Sequence, residues 1–167
     1  MEHERIAHPW PPFYDDDSKV LILGTIPSPA SRKMGFFYGH PQNVFWSILA
    51  EVLEQPEPPR DIEARKTFLL KSRIALWDVL RAATISGAAD MSIREPEPNL
   101  FSPLLVASNI HTVFTTGRQA THLFNELCAT EAGTQAIYLP STSPANRAAQ
   151  AKPEFKTQWR QVAAALR

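Results

Sequence analysis

The apolar positions of the chain gather into four short runs separated by longer stretches of mixed periodicity. Lys19 to Leu23, Arg73 to Val79, His111 to Thr115 and Ala136 to Leu139 each read as a strand. An apolar run without polar alternation is what a strand covered on both faces shows, so a mostly parallel sheet is expected. Asn43 to Leu53 predicts a helix, with Phe45, Trp46, Ile48, Leu49, Val52 and Leu53 on its apolar face. Further helices are expected over Asp61 to Lys71, from Gly117 to about Cys128, and over Glu154 to Leu166, with a short one ending Leu104 to Ser108. Residues 1–18 read as irregular, with Asp15-Asp16-Asp17 as a solvated turn, and Thr84 to Pro103 reads as a long polar loop. Loops of that length in a compact domain are often functional. Alternation of strand and helix predicts an α/β sandwich forming a single domain over residues 1–167. Ligands of such sheets bind outside the carboxyl ends of the strands. The loops Gly24–Asn43, Thr116–Arg118 and Pro140–Asn146 are therefore expected along one edge.

Charge and cysteine content narrow the classes. The 17 basic and 17 acidic side chains cancel, which excludes a general polycation but leaves room for a locally basic surface. Cys128 is the only cysteine, so an intrachain disulfide and a cysteine metal cluster are both excluded. A buried structural thiol in a reducing, cytoplasmic setting is the simplest expectation. No run approaches the roughly 20 apolar residues that span a bilayer, and the charged start Met1-Glu2-His3-Glu4-Arg5 is not a secretory signal.

The densest chemistry lies in Gly35-Phe36-Phe37-Tyr38-Gly39-His40-Pro41-Gln42-Asn43-Val44-Phe45-Trp46, soon after Gly24-Thr25-Ile26-Pro27-Ser28. Aromatic faces beside fixed amide and imidazole groups are what holds a flat heterocycle. Phe37 and Tyr38 are open to either core packing or a pocket, and the neighbouring Gly35, Gly39, His40 and Pro41 favour a loop. Asn43 stands where a helix cap belongs, and His40 has a backbone-bonding alternative. Dinucleotide, Walker-type, nucleophile-elbow and paired-histidine metal patterns are all absent from the sequence.

These two segments, together with Leu139-Pro140-Ser141-Thr142-Ser143-Pro144-Ala145-Asn146, resemble the uracil-DNA glycosylase superfamily, most closely its hypoxanthine-DNA glycosylase branch. The likeness runs from about Trp10 to the last helix. It implies a three-layer sandwich with a central four-stranded parallel sheet flanked by helices, no metal or organic cofactor, and hydrolysis of the N-glycosidic bond of a flipped, deaminated base. The implied partner is DNA containing a deaminated or mismatched base, met by a monomer that associates with the nucleoid when acting. The third residue of the first motif, elsewhere in the family a water-positioning Asn or Asp, is Ile26 here. In the hypoxanthine branch the later Asn takes that role and matches Asn43, with His40 beside it as a candidate donor. The resemblance implies base contacts from Tyr38, Phe37, Gly24, Thr25 and Ile26. It implies DNA contacts from Ser28, Ser31, Arg32, Lys33, Arg118, Ser141, Ser143, Ala145, Asn146 and Arg147. Ala145 stands where some relatives have a bulky wedge.

Overall fold

The computed structural model describes residues 3–86 and 92–167. Its centre is a four-stranded parallel sheet built from β2 (Val20–Gly24), β3 (Ile74–Asp78), β6 (Thr112–Thr116) and β7 (Ile137–Leu139), in the order β3-β2-β6-β7. Every residue of β2 is buried, as expected for a central strand with helices on both faces. The fold class implied by the sequence is the one observed.

Side-chain alternation along the strands splits the core in two. Val20 and Ile22, with Ile74 and Leu76, face a layer of α2 (Phe45–Val52), α3 (Ile62–Ser72) and α8 (Pro153–Ala165), whose Phe45, Trp46, Leu69 and Trp159 fill it. Leu21 and Leu23, with Ala75, face α4 (Ser102–Ala107) and α5 (Arg118–Leu127); Phe101, Leu104, Ala120 and Phe124 fill this second layer. Asp61 caps α3 by accepting from the Ala64 amide at 2.9 Å, which explains the start read from the sequence. The remaining helices are short: α1 (Pro29–Met34), α6 (Ala129–Ala132) and α7 (Arg147–Gln150).

Two expectations need correction. The polar stretch expected as a loop contains the end of β4 (Leu80–Ile85) and all of β5 (Arg94–Pro98), which pair in a second, antiparallel sheet ordered β1-β4-β5. Gly87 of that stretch lies outside the described residues. Residues 1–18 are also not all irregular: β1 (Glu4–Ala7) pairs with β4. Both segments escaped the hydrophobic pattern because they lie at the margins of the small sheet. β1 buries only Ile6, and β5 carries two prolines and no buried residue. Arg5 and Arg81 both pair with Glu97 and tie the small sheet together across its surface.

Beyond β1 the chain runs back along the outer edge of β3. His8 donates its backbone amide to the Arg81 carbonyl at 2.7 Å, and Phe13 and Leu76 exchange amide–carbonyl bonds of 2.9 and 3.0 Å. The Trp77 indole donates to the Trp10 carbonyl at 3.2 Å. This strap brings His8 to the carboxyl end of the parallel sheet.

Candidate active site

Parallel register sets the floor of the site. Gly24 and Asp78 are Cα partners at the carboxyl ends of β2 and β3. A β-carbon at Gly24 would lie 2.6 Å from Asp78 Oδ1 and 3.5 Å from the Tyr38 hydroxyl. Only glycine fits there, so carboxylate, glycine backbone and phenol converge.

Tyr38 sits at φ 52°, a left-handed conformation uncommon outside glycine and asparagine. The surroundings hold it there from several directions. The Trp46 indole donates to the Tyr38 carbonyl at 3.1 Å. The next residue, Gly39, donates its amide to Ser31 Oγ at 2.9 Å and accepts from Arg60 at 2.8 Å. One face of the Tyr38 ring lies on Phe45, with centroids 3.9 Å apart and planes 6° from parallel. Thr116 donates its hydroxyl to the Leu23 carbonyl at 3.3 Å, so it accepts from the Tyr38 hydroxyl, also at 3.3 Å. Burial, and then the charge of Asp78, push the phenol well above its ordinary pKa against a lowering by the Thr116 bond. The hydroxyl therefore stays protonated throughout the working range.

Asn43 is half-buried two residues before α2, so the cap position expected for it falls on Val44. Its Oδ1 accepts from the Phe45 amide at 2.9 Å, and its own amide donates to the His40 carbonyl at 3.0 Å. A carbonyl oxygen has a second lone pair, and among the described residues the Asn43 side-chain nitrogen makes no hydrogen bond, so both ends of the amide retain capacity. His40 Nδ1 accepts from the Gln42 amide at 3.0 Å, which places the ring proton on Nε2 as a donor.

The other expected residues distribute as follows. Phe37 is buried, its ring 5.1 Å from Trp10 and 5.3 Å from Phe36. Thr25 is buried and Ile26 half-buried just beyond β2. Ser28 caps α1 by accepting from the Ser31 amide at 3.1 Å, and Ser31 is buried beneath Gly39. Lys33 is exposed, while Arg32 is partly covered and its Nε is buried without a partner. Arg118 lies over the Tyr138 ring at 5.3 Å.

The loop after β7 closes against the same edge. The Val44 amide donates to the Thr142 carbonyl at 3.1 Å, linking this loop directly to the start of α2. Trp159 donates its indole N–H to the Pro140 carbonyl at 3.0 Å. Ser141 Oγ accepts from the Ser143 amide, and Ser143 Oγ from the Ala145 amide. Asn146 donates to the Ser141 carbonyl at 2.9 Å, while Ala145 and Arg147 are exposed. The three motif-bearing loops thus share one edge. Among the described residues no cluster of three or more His, Cys, Asp or Glu side chains is arranged to hold a metal ion. No helix of the described residues is long and apolar enough to cross a membrane.

A model of the uracil DNA glycosylase superfamily matches residues 11–166. The chain belongs to that superfamily. It is 33% identical over 139 residues to a protein of Methanosarcina barkeri named hypoxanthine DNA glycosylase, covering 83% of this chain and 87% of the relative. A protein of the same name from Methanosarcina acetivorans is 32% identical over 143 residues, covering 85% of this chain and 89% of the relative. The fold also superposes, with a TM-score of 0.75 and 29% identity, on a solution NMR structure from M. acetivorans described as a candidate uracil DNA glycosylase. That match covers 94% of this chain and 98% of the other. These similarities make the chain a DNA glycosylase, a hydrolase of DNA repair.

Sequence reasoning missed two residues at this edge. His8 Nε2 and Asp78 Oδ2 lie 2.7 Å apart, with side-chain exposures of 3% and 7%. The available signal was Asp78 itself, a carboxylate directly after the apolar run Ile74-Ala75-Leu76-Trp77 at a sheet end where ligands bind.

Proposed function

We propose that this chain excises hypoxanthine from DNA, acting as a monomer on a base turned out of the helix, and leaves an abasic site without cutting the strand. The observation that carries the reading is the union of Asn43, Phe45 and Tyr38: one side-chain amide fixes the start of the helix whose first residue backs the stacking ring. Turning out a base costs a few kcal/mol, and stacking on an aromatic face returns roughly 1–3 kcal/mol. The two are comparable, so a weakly paired lesion is captured and a well-paired base is left in place.

In the proposed step, water held on the free lone pair of Asn43 Oδ1 attacks C1′ of the deoxyribose. The C1′–N bond breaks, its electron pair leaves with the base, and the proton that water loses as the new C1′–O bond forms passes through solvent to the departing base. Positive charge grows on the sugar and negative charge on the base, so a donor near the base stabilises the transition state. His40 Nε2–H is that donor in this scheme. Ile26 has no group that holds water, which leaves the role to Asn43. Ser28, Ser141 and Ser143 lie beside the backbone amides of their loops, and with Arg32, Lys33, Arg118 and Arg147 they grip phosphates on either side of the flipped nucleotide.

The test uses duplexes carrying hypoxanthine, uracil, xanthine or mismatched thymine, incubated with the protein and then treated with alkali. Alkali-dependent cleavage at hypoxanthine, undiminished by excess EDTA, is the expected result. Binding of lesion DNA without excision of any base would instead make the chain a damaged-DNA-binding module and overturn the proposal.

A further inference from the structure

A groove of about 540 Å3 opens between α2 and α8, beside the loop that follows β7. The buried Ile48 and Phe155 form its floor, so packed side chains set its shape. One end is tied to the candidate active site. Val44, the residue after Asn43, lines the groove and donates its amide to the Thr142 carbonyl at 3.1 Å. Gln150, the last residue of α7, also lines it and donates to the Ser141 and Ser143 carbonyls at 3.1 and 2.8 Å. The bond from the Trp159 indole to the Pro140 carbonyl, just beyond β7, holds this part of α8 at the same edge.

Its charge departs from that of the whole chain, whose 17 basic and 17 acidic side chains cancel. Lys156 and Arg160 line the groove one helical turn apart, and Lys152 lies one turn earlier, where α8 begins. Four-residue intervals put the three on one face, about 6 Å apart along the axis. Among the described residues that line the groove, Glu51 is the only acid, and it meets Lys156 at 3.1 Å. Both members of that pair are about half exposed, so water and salt keep it weak. Among the described residues no acid pairs with Lys152 or Arg160. Three cations against one carboxylate in a concave surface concentrate positive potential. The pitch of the row is close to the spacing of successive phosphates on one nucleic-acid strand. The one aromatic ring lining it, Phe155, is buried, so the groove suits a phosphate backbone and not stacked bases.

We propose that the groove between α2 and α8 carries the phosphates of one DNA strand away from the flipped nucleotide. Lys152, Lys156 and Arg160 are its contacts, and Glu51 is a brake on its affinity. The inference rests on the base-excision reading given above and extends the grip beyond Arg147 to one flank of the substrate. Contacts of this kind carry no sequence information; they lengthen the footprint and deepen its salt dependence. The Glu51 carboxylate occupies Lys156 until a phosphate takes its place. The groove therefore holds DNA less tightly than its cations alone would, and gives it up more readily.

The experiment measures equilibrium binding of the full chain to hypoxanthine duplexes by fluorescence anisotropy over a range of salt, with each flank of the lesion lengthened in turn. The wild type should gain affinity as one flank grows, and its slope of log affinity against log salt should steepen. The double variant Lys152→Gln/Arg160→Gln should lose that gain, and its slope should flatten by about 1.8, the share of two phosphates. Glu51→Gln should move the other way, binding the long-flanked duplex more tightly and with a steeper slope, which damage to the fold would not produce. Melting temperatures check that each variant is folded. Inorganic phosphate at matched ionic strength probes for an isolated anion site: if it displaces the long flank, the groove holds a free anion and the strand assignment falls. Unchanged affinities and slopes in both variants overturn it as well. Excision is read separately on the same duplexes. The expected slope changes without removal of any base defeat the base-excision reading alone, and excision with unchanged slopes defeats only the groove.

Discussion

The loop carrying Tyr38 and the loop carrying Ser141–Arg147 leave the same sheet edge, yet they are held in opposite ways. The first is pinned by distant elements: Ser31 from α1, Trp46 from α2, Arg60 from before α3, and the ring of Phe45. The second is anchored at its base by Trp159 and Val44, and beyond that it bonds mainly to itself through Ser141, Ser143, Asn146 and Gln150. A surface fixed from many sides keeps one shape and selects by fit. Under the proposed function, a locally stitched tip with an exposed Arg147 meets a DNA backbone whose geometry varies along the duplex. Substitutions in the first loop should therefore change which base is processed and how fast, while those in the second should change how tightly any DNA is held.

The sharpest way to break this contrast is Asn43→Ala. If Asn43 positions water, the single-turnover rate should fall about a hundredfold or more, the scale of removing one oriented transition-state interaction. Loss of its bond to the Phe45 amide should at the same time cost about 1 kcal/mol of stability. A lowered melting temperature with a normal rate would reduce Asn43 to a cap. Next in size is Tyr38→Ala, expected to lose roughly tenfold to a hundredfold in lesion binding or rate through the missing stacking surface. Tyr38→Phe keeps the ring and should retain most activity, since only the hydroxyl bond to Thr116 disappears. A fully active, folded alanine variant would remove Tyr38 from the pocket.

Smaller and different in kind is the effect expected for Arg147→Ala. Affinity should drop for every sequence alike, and the slope of log affinity against log salt should flatten by about 0.9, since one phosphate fewer is neutralised. An unchanged slope would detach Arg147 from the DNA. The smallest effect concerns the far side of the sheet. Burial, reinforced by the charge of Glu131, pushes the Cys128 thiol up to about 12. The nucleophilic thiolate is therefore scarce in the folded protein at neutral and mildly alkaline pH, and an alkylating reagent should label Cys128 only after denaturant is added. Fast labelling of the native protein would show that this layer opens.

Legibility in the sequence followed burial. The parallel strands stood out because Val20–Leu23 and Ile74–Leu76 are apolar without interruption, as doubly covered strands must be. The helices that pack on them carried clear apolar faces, and Asp61 marked the start of one. The small sheet was hidden: Arg94-Glu95-Pro96-Glu97-Pro98 holds its place through pairing and surface charge, neither of which leaves a periodic trace. At the site, Tyr38, His40 and Asn43 were visible because they crowd into one loop. The His8–Asp78 pair was not, because its members lie 70 positions apart and meet only when the strap folds along β3.

That strap has a consequence for how the protein behaves in a crowded solution. The sheet ends on one side at β7, only three residues long, and on the other at β3, a five-residue, largely apolar strand. Left bare, β3 would offer unpaired amides and carbonyls as a template for a neighbouring chain, the usual starting point of edge-to-edge aggregation. The amide exchange between Phe13 and Leu76 occupies that template, and Trp10 roofs the rest by accepting the Trp77 indole proton. The superfamily match begins at residue 11, between the two members of this cover. A fragment trimmed to that boundary would keep Phe13 but lose His8 and Trp10 together, uncovering the Trp77 end of β3 and leaving the acid there without its imidazole partner.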